Sequence, residues 1–137
     1  MTAAQDVEAV LAAADRIVDD FGHHRAVAYF AGFDPEATFI FYTADRRLES
    51  RAEYEALWSG WETENGFAVH GCVSSNRRVR MLRDDLALFL HDVTSTIELD
   101  GDISTVKEQE TIVFAKTGDR WVAVHEHLSP VEPLAEA

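Results

Sequence analysis

Three features place this chain in the α+β class: helical periodicity confined to its first half, four long strand-like runs in succession after Gly66, and short Asp/Gly turns joining those runs. Helices segregated ahead of a continuous meander pack on one side of an antiparallel sheet, so the sheet is expected to curve around them. At 137 residues the chain has the length of one domain, large enough to bury a core without staples. That domain is expected over residues 1–130, with residues 131–137, which carry Pro133 and alternating acids, as a flexible C-terminal tail.

The elements follow in order. From Asp6 to Phe21, apolar Val7, Val10, Leu11, Ala14, Ile17, Val18 and Phe21 recur at three- and four-residue intervals, and Gly22 ends this helix. A shorter helical pattern runs from His23 to Phe33 through Ala26, Val27, Tyr29 and Phe30, closed by Gly32 and by Asp34-Pro35. These two helices are expected to form a hairpin. Ala37 to Thr43 is β-branched and aromatic, which predicts the first strand. In Ser50-Arg51-Ala52-Glu53 a hydroxyl and a carboxylate stand three apart, the arrangement that satisfies orphan amides at a helix start. The helix that follows carries Tyr54, Leu57, Trp58 and Trp61 on one stripe until Asn65-Gly66. That stripe is either core or, through Trp58 and Trp61, one wall of a ligand cavity. Strands are then predicted over Phe67–Met81, Leu86–Leu99, Thr105–Lys116 and Arg120–Ser129, antiparallel across their tight turns.

Charge and cysteine usage exclude several functions. Twelve basic against 25 acidic residues give a net charge of −13, which repels nucleic acid and anionic membrane surfaces. The basic cluster Arg77-Arg78-Val79-Arg80 with Arg83 reads as a solvated face or as an offset to nearby acids, with an anion anchor as the functional alternative. The single Cys72 makes neither a disulfide nor a zinc cluster, and no run of about 20 apolar residues spans a bilayer. A soluble, cytoplasmic protein is expected. No Gly-rich loop, Walker-type lysine or zinc spacing occurs, so no cofactor is expected.

The chemistry-bearing residues sit on the last strands. Pairing about Asp100-Gly101 sets Asp92 opposite Glu110 and Thr94 opposite Glu108, provided no bulge intervenes. A buried carboxylate without a partner tends to hold a proton, which makes Glu110 a candidate general acid or base; a salt bridge or hydrogen bond to a neighbouring strand or subunit is the alternative. Strict alternation would put Trp121, Ala123, His125 and His127 on one face of the final strand, and Val122, Val124, Glu126 and Leu128 on the other. His125 and His127 would need His91 or His70 as a third partner to hold a metal, and no metal site is expected. They serve either as hydrogen-bonding core or interface residues or as acid–base and ligand-contact groups.

Gln109 to Ser129, with Glu110-Thr111, Trp121, Val124-His125, His127 and Ser129 at matching positions, resembles the nuclear transport factor 2-like superfamily, and within it the SnoaL-like branch and the association domain of calcium/calmodulin-dependent kinase II. The resemblance extends over most of residues 5–130. It implies a cone-shaped curved antiparallel sheet wrapped by three helices, a conical pocket between them, and a homodimer formed through the sheet. Where the association domain's pocket carries arginines, this chain has Thr94, Ile112 and Leu128, so the pocket is expected to be apolar or acidic, with Tyr42, Trp58 and Glu110 around its wall. The superfamily includes ketosteroid isomerase, scytalone dehydratase and polyketide cyclases, but fold alone passes none of their chemistry to this chain.

Two functions stay open. The first is a small-molecule pocket protein, catalytic or not, in which Glu110 or His127 moves a proton beside an apolar molecule contacted by Tyr42, Trp58, Trp61, Thr94, Ile112 and His125. The second is a non-catalytic assembly module whose His and Glu residues knit sheets together across a dimer.

Overall fold

The computed structural model describes residues 2–131. Helix α1 (Ala3–Gly22) starts from a reciprocal cap in which the Thr2 hydroxyl accepts from the Gln5 amide and the Gln5 side chain accepts from the Thr2 amide. Helix α2 is shorter than its sequence pattern, Ala26–Ala31, because His24 takes a positive φ and the backbone breaks before Arg25. Strand β1 (Phe33–Phe41) begins earlier than expected and absorbs Asp34-Pro35. Proline is tolerated there because β1 is an edge strand whose register shifts between Phe33 and Thr38. Helix α3 (Arg51–Asn65) is capped by the Ser50 hydroxyl and closed by Gly66 at φ 60°.

Strands β2 (Ala68–Arg83), β3 (Leu86–Leu99), β4 (Asp102–Thr117) and β5 (Arg120–Pro130) form the antiparallel meander, and β1 joins parallel to β5, giving the order β1-β5-β4-β3-β2. The sheet is curved and unclosed, and three register shifts along β2 increase its bend. α1 lies on β2 and β3, and α3 on β1, so one face of the sheet is enclosed by helices. At their junction Trp58, 2% exposed, meets the rings of Phe67, His24, Tyr29, Phe30 and Phe21 at centroid distances of 4.9, 5.0, 5.4, 5.5 and 5.9 Å. Of the α3 stripe, Tyr54 and Trp58 are core while Leu57 and Trp61 are partly exposed.

Two registers differ from expectation, and both move the chemistry. The Asp100-Gly101 turn has two loop residues, both with positive φ, so pairing starts at Leu99 with Asp102. Glu110 therefore faces His91, not Asp92, and Thr94 pairs with Lys107, not Glu108. In β5, Val113 of β4 pairs with His125 but Phe114 pairs with Ala123, leaving Val124 as an extra residue. The bulge reverses the alternation: Trp121 and Ala123 share the inner face with Glu126 and Leu128, while His125 and His127 turn outward. Val131 donates its amide to the Lys107 carbonyl; the rest of the expected tail lies outside the described residues.

Candidate functional site

Between the helices and the inner sheet face lies a cavity of about 370 Å³. Apolar and aromatic side chains form most of its wall: Ile17, Val18 and Phe21 from α1, Tyr29 from α2, Tyr54 and Trp61 from α3, Val93 and Ile97 from β3, and Val106 from β4. Asn65, Leu99, Asp100 and Ser104 line the end where the β3–β4 turn meets the C-terminus of α3, held there by the Asn65 amide donating to the Asp100 carboxylate at 3.0 Å. His24, behind this wall, accepts from the Val69 amide at 3.0 Å and donates to Glu62 at 2.7 Å.

Polar groups converge on one stretch of the wall. Because β3 alternates strictly, Phe89, His91, Val93 and Ser95 all point inward, and inward Glu108 and Glu110 of β4 lie beside them. The His91 ring, with no side-chain exposure, donates from Nε2 to Glu110 Oε1 at 2.7 Å. Its Nδ1 then accepts from the Ser74 hydroxyl of β2 at 2.6 Å. Glu110 also shares a hydrogen bond with the carboxyl of Glu126, which is 3% exposed. Two buried carboxyls in contact cannot both be ionised without large repulsion, so the pair holds one proton. Burial, followed by the charge of Glu110, raises Glu126 well above the usual carboxylate range. Burial also opposes ionisation of Glu110, but hydrogen bonds from Glu126 and His91 outweigh it and set Glu110 below its ordinary value. The proton therefore resides on Glu126. One carboxyl oxygen of Glu126, Oε1, is buried with no hydrogen-bond partner.

Three neighbours complete the site. Glu108 is raised by burial and partly restored by the Tyr42 hydroxyl, which donates to it at 2.6 Å. Tyr29 and Tyr54 share a hydrogen bond of 2.9 Å, and burial keeps both phenols neutral. Cys72, beside Ser95, is pushed by burial up to about 11, so its thiol is not a nucleophile near neutral pH.

The residues singled out in the sequence divide between the two faces. Glu110, Tyr42 and Trp61 line the cavity. Trp58 and Ile112 are core residues behind its wall, 2% and 1% exposed. His127 is exposed on the outer face, lining a polar groove with Asn76, Leu90, Asp92, Gln109, Thr111 and Ser129, which His91 and Glu110 also border. His125 shares that face and is bonded to the Thr38 hydroxyl at 2.7 Å; burial and His127 lower its affinity for a proton. Thr94, opposite Val73, also points outward, between inward Val93 and Ser95. The Glu110 carboxyl thus turns to the inner cavity and the His127 ring to the outer face, although both residues border the outer groove. His91, Glu126, Glu108 and Ser74 belong to the inner cluster without having been singled out as its members. For His91 the signal was available: it stands in phase with Ala87, Phe89, Val93 and Ser95. The arginine cluster faces elsewhere, with Arg77 bound to Asp15 at 2.7 Å and lying over the Phe89 ring. Among the described residues, no group of three or more His, Cys, Asp or Glu is placed to hold a metal ion, and no helix is long and apolar enough to cross a membrane.

A curved sheet closed by three helices over a pocket lined with carboxyls defines a member of the cone-shaped α+β class. The SnoaL-like domain pattern matches residues 10–133, and the chain belongs to that family. Among solved structures it is similar to a ketosteroid isomerase-like protein from Erwinia carotovora atroseptica, with TM-score 0.79 and 15% identity over 93% of this chain and 98% of that one. It is also similar to a nuclear transport factor 2-like protein from Cytophaga hutchinsonii, with TM-score 0.77 and 12% identity over 96% of this chain and 100% of that one. A hub homology domain of calcium/calmodulin-dependent kinase II from Chlamydomonas reinhardtii gives TM-score 0.72 and 21% identity over 92% of this chain and 98% of that one. No curated protein matches the sequence. Identities this low speak for a shared fold.

Proposed function

We propose that the chain binds a small, largely apolar molecule in the inner cavity and moves a proton on it, in the manner of an isomerase, cyclase or dehydratase. The observation that carries this reading is the Glu110–Glu126 pair, one proton on two buried carboxyls, placed on the wall of an otherwise aromatic cavity and backed by His91 and Ser74. Glu126, the neutral partner, is the acid; Glu110, the ionised partner, is the base. Shielding from water strengthens both roles.

A neutral aryl ketone such as acetonaphthone tests the reading, with deuterium incorporation at its methyl group in D2O followed by NMR. The chain is expected to accelerate exchange saturably. Val106→Trp, which fills the cavity, abolishes both binding and exchange; Glu110→Gln retains binding and slows exchange by about 10²–10⁴-fold, the usual contribution of a general base. Binding without acceleration removes the acid–base role, and equal binding by Val106→Trp removes the pocket.

The outer sheet face supports a second role for the same chain, a homodimer through the sheet. Val73 is 64% exposed there, and Leu88, Leu90 and Val113 are partly exposed further along the same face. Sedimentation velocity is expected to give a dimer that Leu90→Arg converts to monomer. A wild-type monomer at every concentration overturns the assignment.

A further inference from the structure

We infer that the ligand of the inner cavity is an organic base, an aromatic or aliphatic body carrying a protonated amine that docks against Glu126 and Glu110. This rests on the pocket reading above and names its substrate class. The cavity wall includes Asp100, Glu108, Glu110 and Glu126, and among the described residues neither lysine nor arginine lines it. A carboxylate, sulfate or phosphate ligand would meet these acids without a countercharge.

The Glu110–Glu126 pair sets what the polar end of the ligand must supply. Beside ionised Glu110, the Oε1 of Glu126 is buried with no hydrogen-bond partner and can accept one. A ligand therefore completes the site by donating a hydrogen bond. A hydroxyl donates one, but an ammonium donates and also brings a positive charge to Glu110 that no lysine or arginine among the lining side chains supplies. Aromatic faces of Phe21, Tyr54, Trp61 and Phe67 surround the same volume and attract a cation further. The body of the ligand lies against Ile17 and Val93.

Naphthylethylamine, naphthylethanol and naphthylacetate share one aromatic body and differ in the charge of the end group, so calorimetry of the three near neutral pH isolates the polar contribution. The amine is expected to bind roughly tenfold or more tighter than the alcohol, the worth of one charge-assisted hydrogen bond, and the acid weakest of all. Glu110→Gln and Glu108→Gln should each reduce the amine's advantage over the alcohol. Two variants guard against one that folds poorly. Equal binding of acid and amine overturns the inference, as does an amine-to-alcohol ratio unchanged in both variants; in either case alcohol binding leaves the pocket reading standing. If none of the three compounds binds, the pocket reading falls and this inference with it.

Discussion

Trp58→Ala is expected to cost about 3–5 kcal/mol of stability, the range for emptying a fully buried indole, and to lower the urea midpoint without altering its slope. The indole is 2% exposed and joins all three helices to the start of β2 through the rings of Phe21, Tyr29, Phe30, Tyr54 and Phe67. Removing it opens a space that these five rings and that of His24 border, and ring stacking within the cluster restrains their collapse into it. Trp58→Phe is the informative partner. The indole N–H is buried without a hydrogen-bond partner, so phenylalanine loses volume but no polar contact, and a cost of about 1–2 kcal/mol is expected. Equal losses in the two variants would show that the cluster is held by something other than ring packing.

Stability should also fall as pH rises above the ordinary carboxylate range, with Glu126 responsible. In the unfolded chain Glu126 loses its proton at the ordinary carboxylate pKa, whereas in the fold burial, followed by the charge of Glu110, keeps the proton on. Above the unfolded value the folded state therefore binds one more proton, and stability declines by about 1.4 kcal/mol per pH unit until folded Glu126 ionises. Glu110 acts oppositely: hydrogen bonds from Glu126 and His91 lower it, so its contribution is present above the unfolded value and lost on acidification. Glu108, Cys72, Tyr29 and Tyr54 lie near Glu126 and add their own charge-dependent contributions. The difference between wild type and Glu126→Gln across a pH series of urea titrations isolates the one proton. A glutamine donates to Glu110 as the protonated acid does, so the variant should fold, show a flatter profile, and exceed wild type in stability at the alkaline end.

Much of the architecture was legible because local and global signals agree. The Ser50 cap, the α3 aromatic stripe and the Asp/Gly turns each mark an element without reference to the rest of the chain. What was not legible turns on single residues. A two-residue turn at Asp100-Gly101 differs from a three-residue one by a single pairing step, yet it exchanges Asp92 for His91 opposite Glu110. The β5 bulge falls at Val124, a good strand former with no glycine to announce it, and it moves Glu126 to the cavity wall and His127 to the outer face. The paired histidines drew attention because they are chemically conspicuous. Glu110 was recognisable as a polar residue within a core strand; its partners His91 and Glu126 depend on register and bulge, which hydrophobic pattern alone does not specify.

The proton that Glu110 and Glu126 hold between them underlies the acid–base roles, the pH profile and the acceptor offered to a basic ligand. Carbon-13 labelling of the glutamate side-chain carboxyls, followed by NMR across pH, reads that proton directly. One glutamate carboxyl is expected to remain protonated well above the ordinary carboxylate range, and its signal to disappear in Glu126→Gln. A spectrum in which every glutamate titrates in the ordinary range would contradict the shared proton and the functional reading built on it.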